Sequence, residues 1–327
     1  MSHRTSTPST VNRLGAVLVA VLVLALSACG GAASSGGESA QRTIAISFPN
    51  YARTPALQVE MEAAEERAAA RGYRLVLDDP GSDLDKQVST IQTWIPQRYA
   101  AIIAVALDAK ALEGVAKQAT AAGVKWITYG SALQNQTGEV DMQQQAGGRV
   151  LGEMAATWFN EQRGGTGKVA IFGYDEGEWA RARVEGIEAA LREKAPRVEV
   201  VARQNALSET EGVDAAANLL QAHPDLNGFL AVEDSATFGA LKALPDPKSP
   251  DMFLGGMDGT KESLETIAAG DTAYRASAAL DLVAIGAGMV DVAANAAEGT
   301  GPTTYSVSYL PATAGSPELE QALARWA

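Results

Sequence analysis

Cysteine and histidine are almost missing from this chain, and much catalytic chemistry goes with them. The 327 residues hold one cysteine, Cys29, and two histidines, His3 and His223. No Ser-His-Asp or Cys-His nucleophile system can be assembled from that inventory, nor a zinc site of Cys and His ligands. His223 lies in Ala222-His-Pro-Asp225, where Pro224 stops a helix, so capping the last turn is its expected task. Basic charge is also short: 26 Lys and Arg face 39 Asp and Glu, a formal net charge of −13. Such acidity argues against nucleic acid or anionic lipid as partner. After residue 28, no apolar run is long enough to cross a bilayer.

Gly164-Gly-Thr-Gly-Lys168 imitates a phosphate loop, but Val169 stands where a magnesium-binding hydroxyl belongs and a strand follows where a helix is needed. It reads as a helix-to-strand turn. Gly286-x-Gly288 falls inside a helix and lacks dinucleotide spacing. No cofactor or catalytic residue is implied.

The amino terminus is informative. Arg4 and Arg13 precede an apolar run from Leu14 to Leu26 and then small residues, which makes residues 1–28 a secretory signal. Leu26-Ser-Ala-Cys29 matches the bacterial lipobox. That match implies cleavage before Cys29, acylation of its new amino terminus, and a mature protein held by lipid on the extracytoplasmic face of a membrane. Loss of Arg4 and Arg13 makes the chain two charges more negative. Residues 29–41, mostly Gly, Ser and Ala, form a flexible linker.

From Thr43 onward short apolar runs alternate with amphipathic helices: strands at Thr43–Ser47, Tyr73–Leu77, Ala101–Ala106 and Val124–Thr128, helices at Pro55–Arg71, Leu84–Ile95 and Ala109–Ala122. After Gln143 the alternation restarts and runs to a strand at Phe253, a helix at 261–269, a strand at Ala273–Ala278, a helix at Leu282–Glu298 and one strand at Thr304–Leu310. This βαβ repetition demands parallel sheets covered on both faces. The expected fold class is α/β: two Rossmann-like, doubly wound lobes joined by crossover hinge segments. The first lobe takes residues 42–142 and 279–306, the second 143–278 and 307–327.

Phe253-Leu-Gly-Gly-Met-Asp-Gly-Thr260 carries the first site candidate. A carboxylate at the C-terminal end of an α/β strand points into the crevice where such sheets bind ligands, which favours Asp258. Turn chemistry, or an N-cap for the next helix, is the competing role. Asp108 reads as an N-cap. Gln143 and Gln144 mark the first lobe-to-lobe crossing, where they serve either a ligand or the hinge.

Four segments, Ala180-Arg-Ala-Arg-Val-Glu-Gly186, Asn218-Leu-Leu-Gln-Ala-His-Pro-Asp225, Phe238-Gly-Ala-Leu241 and Gly256-Met-Asp-Gly259, stand in an order and spacing that resembles the type 1 periplasmic binding proteins. The likeness is greatest to ribose-binding-like lipoproteins of sugar ABC importers. The resemblance implies ligand in the cleft and hinge closure on binding. It places Arg181 on the ligand's oxygens, with an ion pair to Glu185 as the alternative, and Asp258 as acceptor from hydroxyls. Ala56, Leu57, Gly130, Ser131 and Glu233 depart from the ribose pattern, so ribose itself is disfavoured. Tyr51, Arg53, Tyr129 and Trp179 lie in neighbouring loops and offer replacement stacking or polar contacts. The implied protein is a monomer that captures a small polar solute, a sugar or polyol, for an ABC permease. The alternative is a ligand-sensing lipoprotein that reports to a membrane receptor such as a histidine kinase.

Overall fold

The computed structural model describes residues 42–326 and His3. Cys29, the signal segment and the 29–41 linker therefore lie outside the described residues, apart from His3. The first sheet is built from β1 (Thr43–Ser47), β2 (Arg74–Asp78), β3 (Ala101–Ala104), β4 (Lys125–Tyr129), β5 (Gly138–Asp141) and β11 (Thr304–Ser306). Its spatial order is β11-β5-β4-β3-β1-β2, parallel throughout. The second sheet holds β6 (Thr166–Gly173), β7 (Arg197–Asn205), β8 (Gly228–Ala231), β9 (Phe253–Asp258), β10 (Tyr274–Leu280) and β12 (Tyr309–Thr313). Its order, β12-β10-β9-β8-β6-β7, repeats the first, except that β12 runs antiparallel to β10. Two doubly wound α/β lobes result. In each, the order reverses beside the first strand, the point at which open α/β sheets leave a crevice.

The helices that accompany these sheets are α1 (Pro55–Ala70), α2 (Leu84–Trp94), α3 (Ala109–Ala121), α4 (Gln144–Arg163), α5 (Glu178–Lys194), α6 (Glu209–Ala222), α7 (Asp234–Ala243), α8 (Lys261–Ala269) and α9 (Leu282–Glu298). A short α10 (Pro317–Leu323) follows β12. The β1, β3 and β8 strands are buried along their whole length, as continuous apolar runs in a covered parallel sheet must be. Local chemistry sets the helix starts. Asp108 caps α3 by accepting from Ala111 N at 2.8 Å, and Ser208 with Glu211 closes a capping box on α6. His223 ends α6 by its backbone, its N–H donating to the Leu219 carbonyl.

The chain crosses between sheets three times: from β5 to α4, from β10 to α9, and from β11 to β12. The second crossing differs from expectation. Ala279 and Leu280 still belong to β10 and pair with β12, so the passage to the first lobe begins at Asp281, whose carboxylate caps α9 from Ala284 N at 3.1 Å. The single strand expected at Thr304–Leu310 is two, one in each sheet, divided at Val307 and Ser308. Periodicity could not separate them, because both halves are extended.

The closest packing in the second lobe is between α4 and α5. A Cβ on Gly148 would stand 1.9 Å from the Arg183 carbonyl oxygen, and one on Gly186 would stand 2.1 Å from the Gln145 carbonyl oxygen. Only glycine allows that approach. It brings the first turn of α4, with Gln144, against the middle of α5, with Arg183.

Candidate functional site

Arg183 is the hub of the cleft. It lies on the apolar face of α5, in phase with Ala180, Gly186, Ile187 and Ala190, and is 5% exposed. A guanidinium so buried must be paired and hydrogen-bonded. Its Nη1 donates to Asp258 Oδ1 at 2.8 Å and to the Val232 carbonyl at 2.7 Å, and its Nε donates to Gln144 Oε1 at 2.7 Å. Its Cζ lies 5.2 Å from the Trp179 ring centroid and 6.0 Å from the Tyr309 ring centroid. Burial opposes its charge, but the Asp258 carboxylate outweighs that and keeps it firmly ionised.

The arginine opposite Asp258 is therefore Arg183, and not Arg181 as expected. Residues two apart on a helix point away from each other. Arg181 is exposed, donates to the Asp175 carbonyl and lines a small hollow with Arg203 and Asn205 on the β7 side of α5. The helical phase within Ala180–Gly186 held the signal, because Arg183 shares the stripe of Ala180 and Ile187 and Arg181 does not.

Asp258 is no cap. Thr260 performs that task for α8, its hydroxyl accepting from Ser263 N at 3.4 Å. Asp258 instead has φ 103°, a conformation that a non-glycine residue adopts only under constraint, and Gly259 follows at φ 72°. Strain of that kind concentrates at ligand sites, and here it aims the carboxylate at Arg183.

Tyr309, just past the third crossing, completes the second-lobe cluster. Its hydroxyl donates to the Met142 carbonyl at 3.0 Å and stands 3.2 Å from Gln144 Oε1. Gln144 thus serves Arg183 and the hinge at once. Glu233, half-buried after β8, has no side-chain hydrogen bond among the described residues; burial first, and the Asp258 charge second, raise its pKa to about 7.

The first lobe contributes Tyr129, at the end of β4. Phe48 packs edge-on against its ring, with centroids 5.3 Å apart. Its hydroxyl lies 3.4 Å from Glu60 Oε2 on α1, and the Tyr309 and Arg183 groups also act on it electrostatically. Tyr51 and Arg53 make their contacts elsewhere: Arg53 donates to Asn50 Oδ1 at 2.8 Å, in a turn tied down by Asp79, and Tyr51 is half-buried on the first-lobe core. Arg183, Tyr309, Glu60 and Phe48 were not among the residues expected at the site.

Binding geometry of this kind, a cleft at the C-terminal strand ends of two similar lobes, has relatives. Residues 44–301 match the family described as periplasmic binding protein domain. The chain belongs to that family. Its members here are binding proteins and not enzymes. The ribose import binding protein of Bacillus subtilis is 28% identical over 236 residues, 72% of this chain and 75% of its own. The xylitol-binding protein of Mycolicibacterium smegmatis is 27% identical over 266 residues, 80% of this chain and 74% of its own. Among solved structures, an ABC transporter solute binding protein from Mycobacterium smegmatis with bound glycerol superposes with a TM-score of 0.70 at 27% identity, over 86% of this chain and 96% of its own. A Bacillus halodurans protein with bound myo-inositol gives 0.73 at 24% identity, over 88% and 99%, and shares the fold. No helix among the described residues is long and apolar enough to cross a membrane.

Proposed function

We propose that this chain is an extracytoplasmic solute-binding lipoprotein that captures a small polar solute, a sugar or polyol, between its lobes and delivers it to an ABC permease. The observation that carries the reading is the Arg183–Asp258 pair, with Gln144 joining Arg183 to Tyr309 where the chain changes lobes. Ribose, apiose and xylitol in the names of its relatives support a hydroxyl-rich solute. Vicinal hydroxyls suit such a pair, because each can donate to a carboxylate and accept from a guanidinium. Trp179, Tyr129, Tyr309 and Phe48 supply faces for the C–H side of a sugar. Closure follows when solute contacts both lobes, since it then binds the closed state better than the open one. Anchoring at Cys29 rests on the lipobox, and a monomer suffices for this work. The test is a thermal-shift screen of sugars and polyols on the mature chain: a ligand at about 100 times its Kd adds about 2.7 kcal/mol of stability. A screen with no shift from any sugar or polyol contradicts the reading.

A further inference from the structure

Glu60 is a carboxylate outside the Arg183 cluster. It is 1% exposed, and its Oε1 has no hydrogen-bond partner among the described residues. Oε2 has only the Tyr129 hydroxyl, at 3.4 Å. Among the described residues no cation stands against it: its one electrostatic partner is that phenol. Tyr309 and Arg183 also act electrostatically on the Tyr129 hydroxyl. Glu60 thus sits behind Tyr129, at the end of β4, with one acceptor oxygen unfilled.

Charge in the cleft is also uneven. Arg183 is the cation: Asp258 pairs with it and Glu233 feels it only through space, whereas Glu60 has no cation acting on it among the described residues. A neutral hydroxyl gives such a carboxyl group one hydrogen bond but no charge to favour its ionised form. An ammonium group supplies both, with donors only and no lone pair to repel.

We infer that the solute of this cleft carries an amine on a hydroxylated skeleton, and that Glu60 receives the ammonium from the first lobe while Arg183 and Asp258 hold hydroxyls from the second. This rests on the sugar or polyol reading above and narrows it. Glu60 is held protonated in the empty cleft, since burial lifts its pKa to about 8. An arriving ammonium favours the carboxylate, so the Glu60 proton passes to the buffer.

The test is calorimetric titration of the full chain at pH 7 with matched pairs: 1-amino-1-deoxy-xylitol with xylitol, 1-amino-1-deoxy-sorbitol with sorbitol, and glucosamine with glucose. Each titration is repeated in two buffers of different ionisation enthalpy. The amine member of at least one pair should bind about 10-fold or more tightly than its neutral partner, as one charge-assisted hydrogen bond warrants. Its binding should release a proton. Glu60→Gln should abolish both the preference and the release, with the melting temperature showing that it is folded. Tyr129→Phe, which keeps the ring and Glu60, should retain the preference and guards against a Glu60→Gln that fails to fold. Neutral members that bind as tightly as their amines in every pair overturn this inference alone. So does an amine preference that survives in folded Glu60→Gln. Failure of all six probes overturns it together with the solute class.

Discussion

Two buried carboxylates, Asp234 in the second lobe and Glu60 in the first, show how differently this fold treats an acid. Asp234 begins α7 and is 1% exposed, as Glu60 is. Five donors converge on it: the Tyr274, Ser277, Ser263 and Thr260 hydroxyls and the Thr260 N–H, at 2.6–3.2 Å. That network ties α7 to β10 and to the start of α8. Glu60, by contrast, has one long contact and an empty oxygen. An acid with its donors in place is framework, and one without them has a vacancy for a partner, because burying an unpaired polar group costs more than a made hydrogen bond returns. Burial lifts Asp234 to about pKa 6 against its hydrogen bonds, and lifts Glu60 to about 8 with little to oppose it.

The contrast breaks most visibly at Asp234. Asp234→Ala strands five donors and should cost about 3–5 kcal/mol in urea denaturation, on the scale of breaking a buried charged network. A loss below 1 kcal/mol would place Asp234 and Glu60 in the same class.

Next in size is the pH response of Glu60. Its folded pKa is raised, so the folded state holds a proton that the unfolded chain has already released, and stability is full below about pH 4.5 and falls as pH rises toward about 8. A tenfold difference in proton affinity between the folded and unfolded chain is worth about 1.4 kcal/mol, so the loss across this window is several kcal/mol at most. Glu233, raised to about 7, adds in the same direction. Melting temperatures of the wild type should decline from pH 5.5 to 8.5, and those of Glu60→Gln should decline much less. Parallel curves would mean that Glu60 is as well partnered as Asp234.

A smaller effect sharpens the framework side. Gly148→Ala places a Cβ against the Arg183 carbonyl and should cost about 1–3 kcal/mol by forcing α4 from α5. It should also weaken solute binding, since Arg183 and Gln144 separate. Smallest of all is Arg181→Ala, an exposed change expected to stay within about 0.5 kcal/mol of wild type.

Much of this was legible in sequence, for physical reasons that also explain the failures. The two-lobe α/β pattern follows from apolar runs and helical stripes that the buried sheets require, and Asp258 was visible because strand ends in such sheets face the crevice. The arginine was missed by one helical phase: motif spacing indicated the segment, but only the buried stripe of α5 separates Arg183 from Arg181. Glu60 was hidden as one acid among several in α1, although it lies on the same face as the buried Ala64 and Ala68. Strand β5 escaped notice because it reads Gly-Glu-Val-Asp, with a single apolar residue, and the start of β12 was merged with β11 because its remainder contains Pro311 and pairs only at a sheet edge. Tyr309 fell inside that merged strand, so its place just past a crossing was not visible.

The central claim is that Arg183 and Asp258 hold the solute and Arg181 does not. Calorimetric titration of wild type, Arg183→Lys, Asp258→Asn and Arg181→Ala with the tightest sugar or polyol of the screen tests it directly. Arg183→Lys and Asp258→Asn should each bind about 10- to 150-fold more weakly, the worth of one charge-assisted hydrogen bond, while Arg181→Ala binds as the wild type does. Loss of affinity in Arg181→Ala, with Arg183→Lys and Asp258→Asn unchanged, would contradict the account.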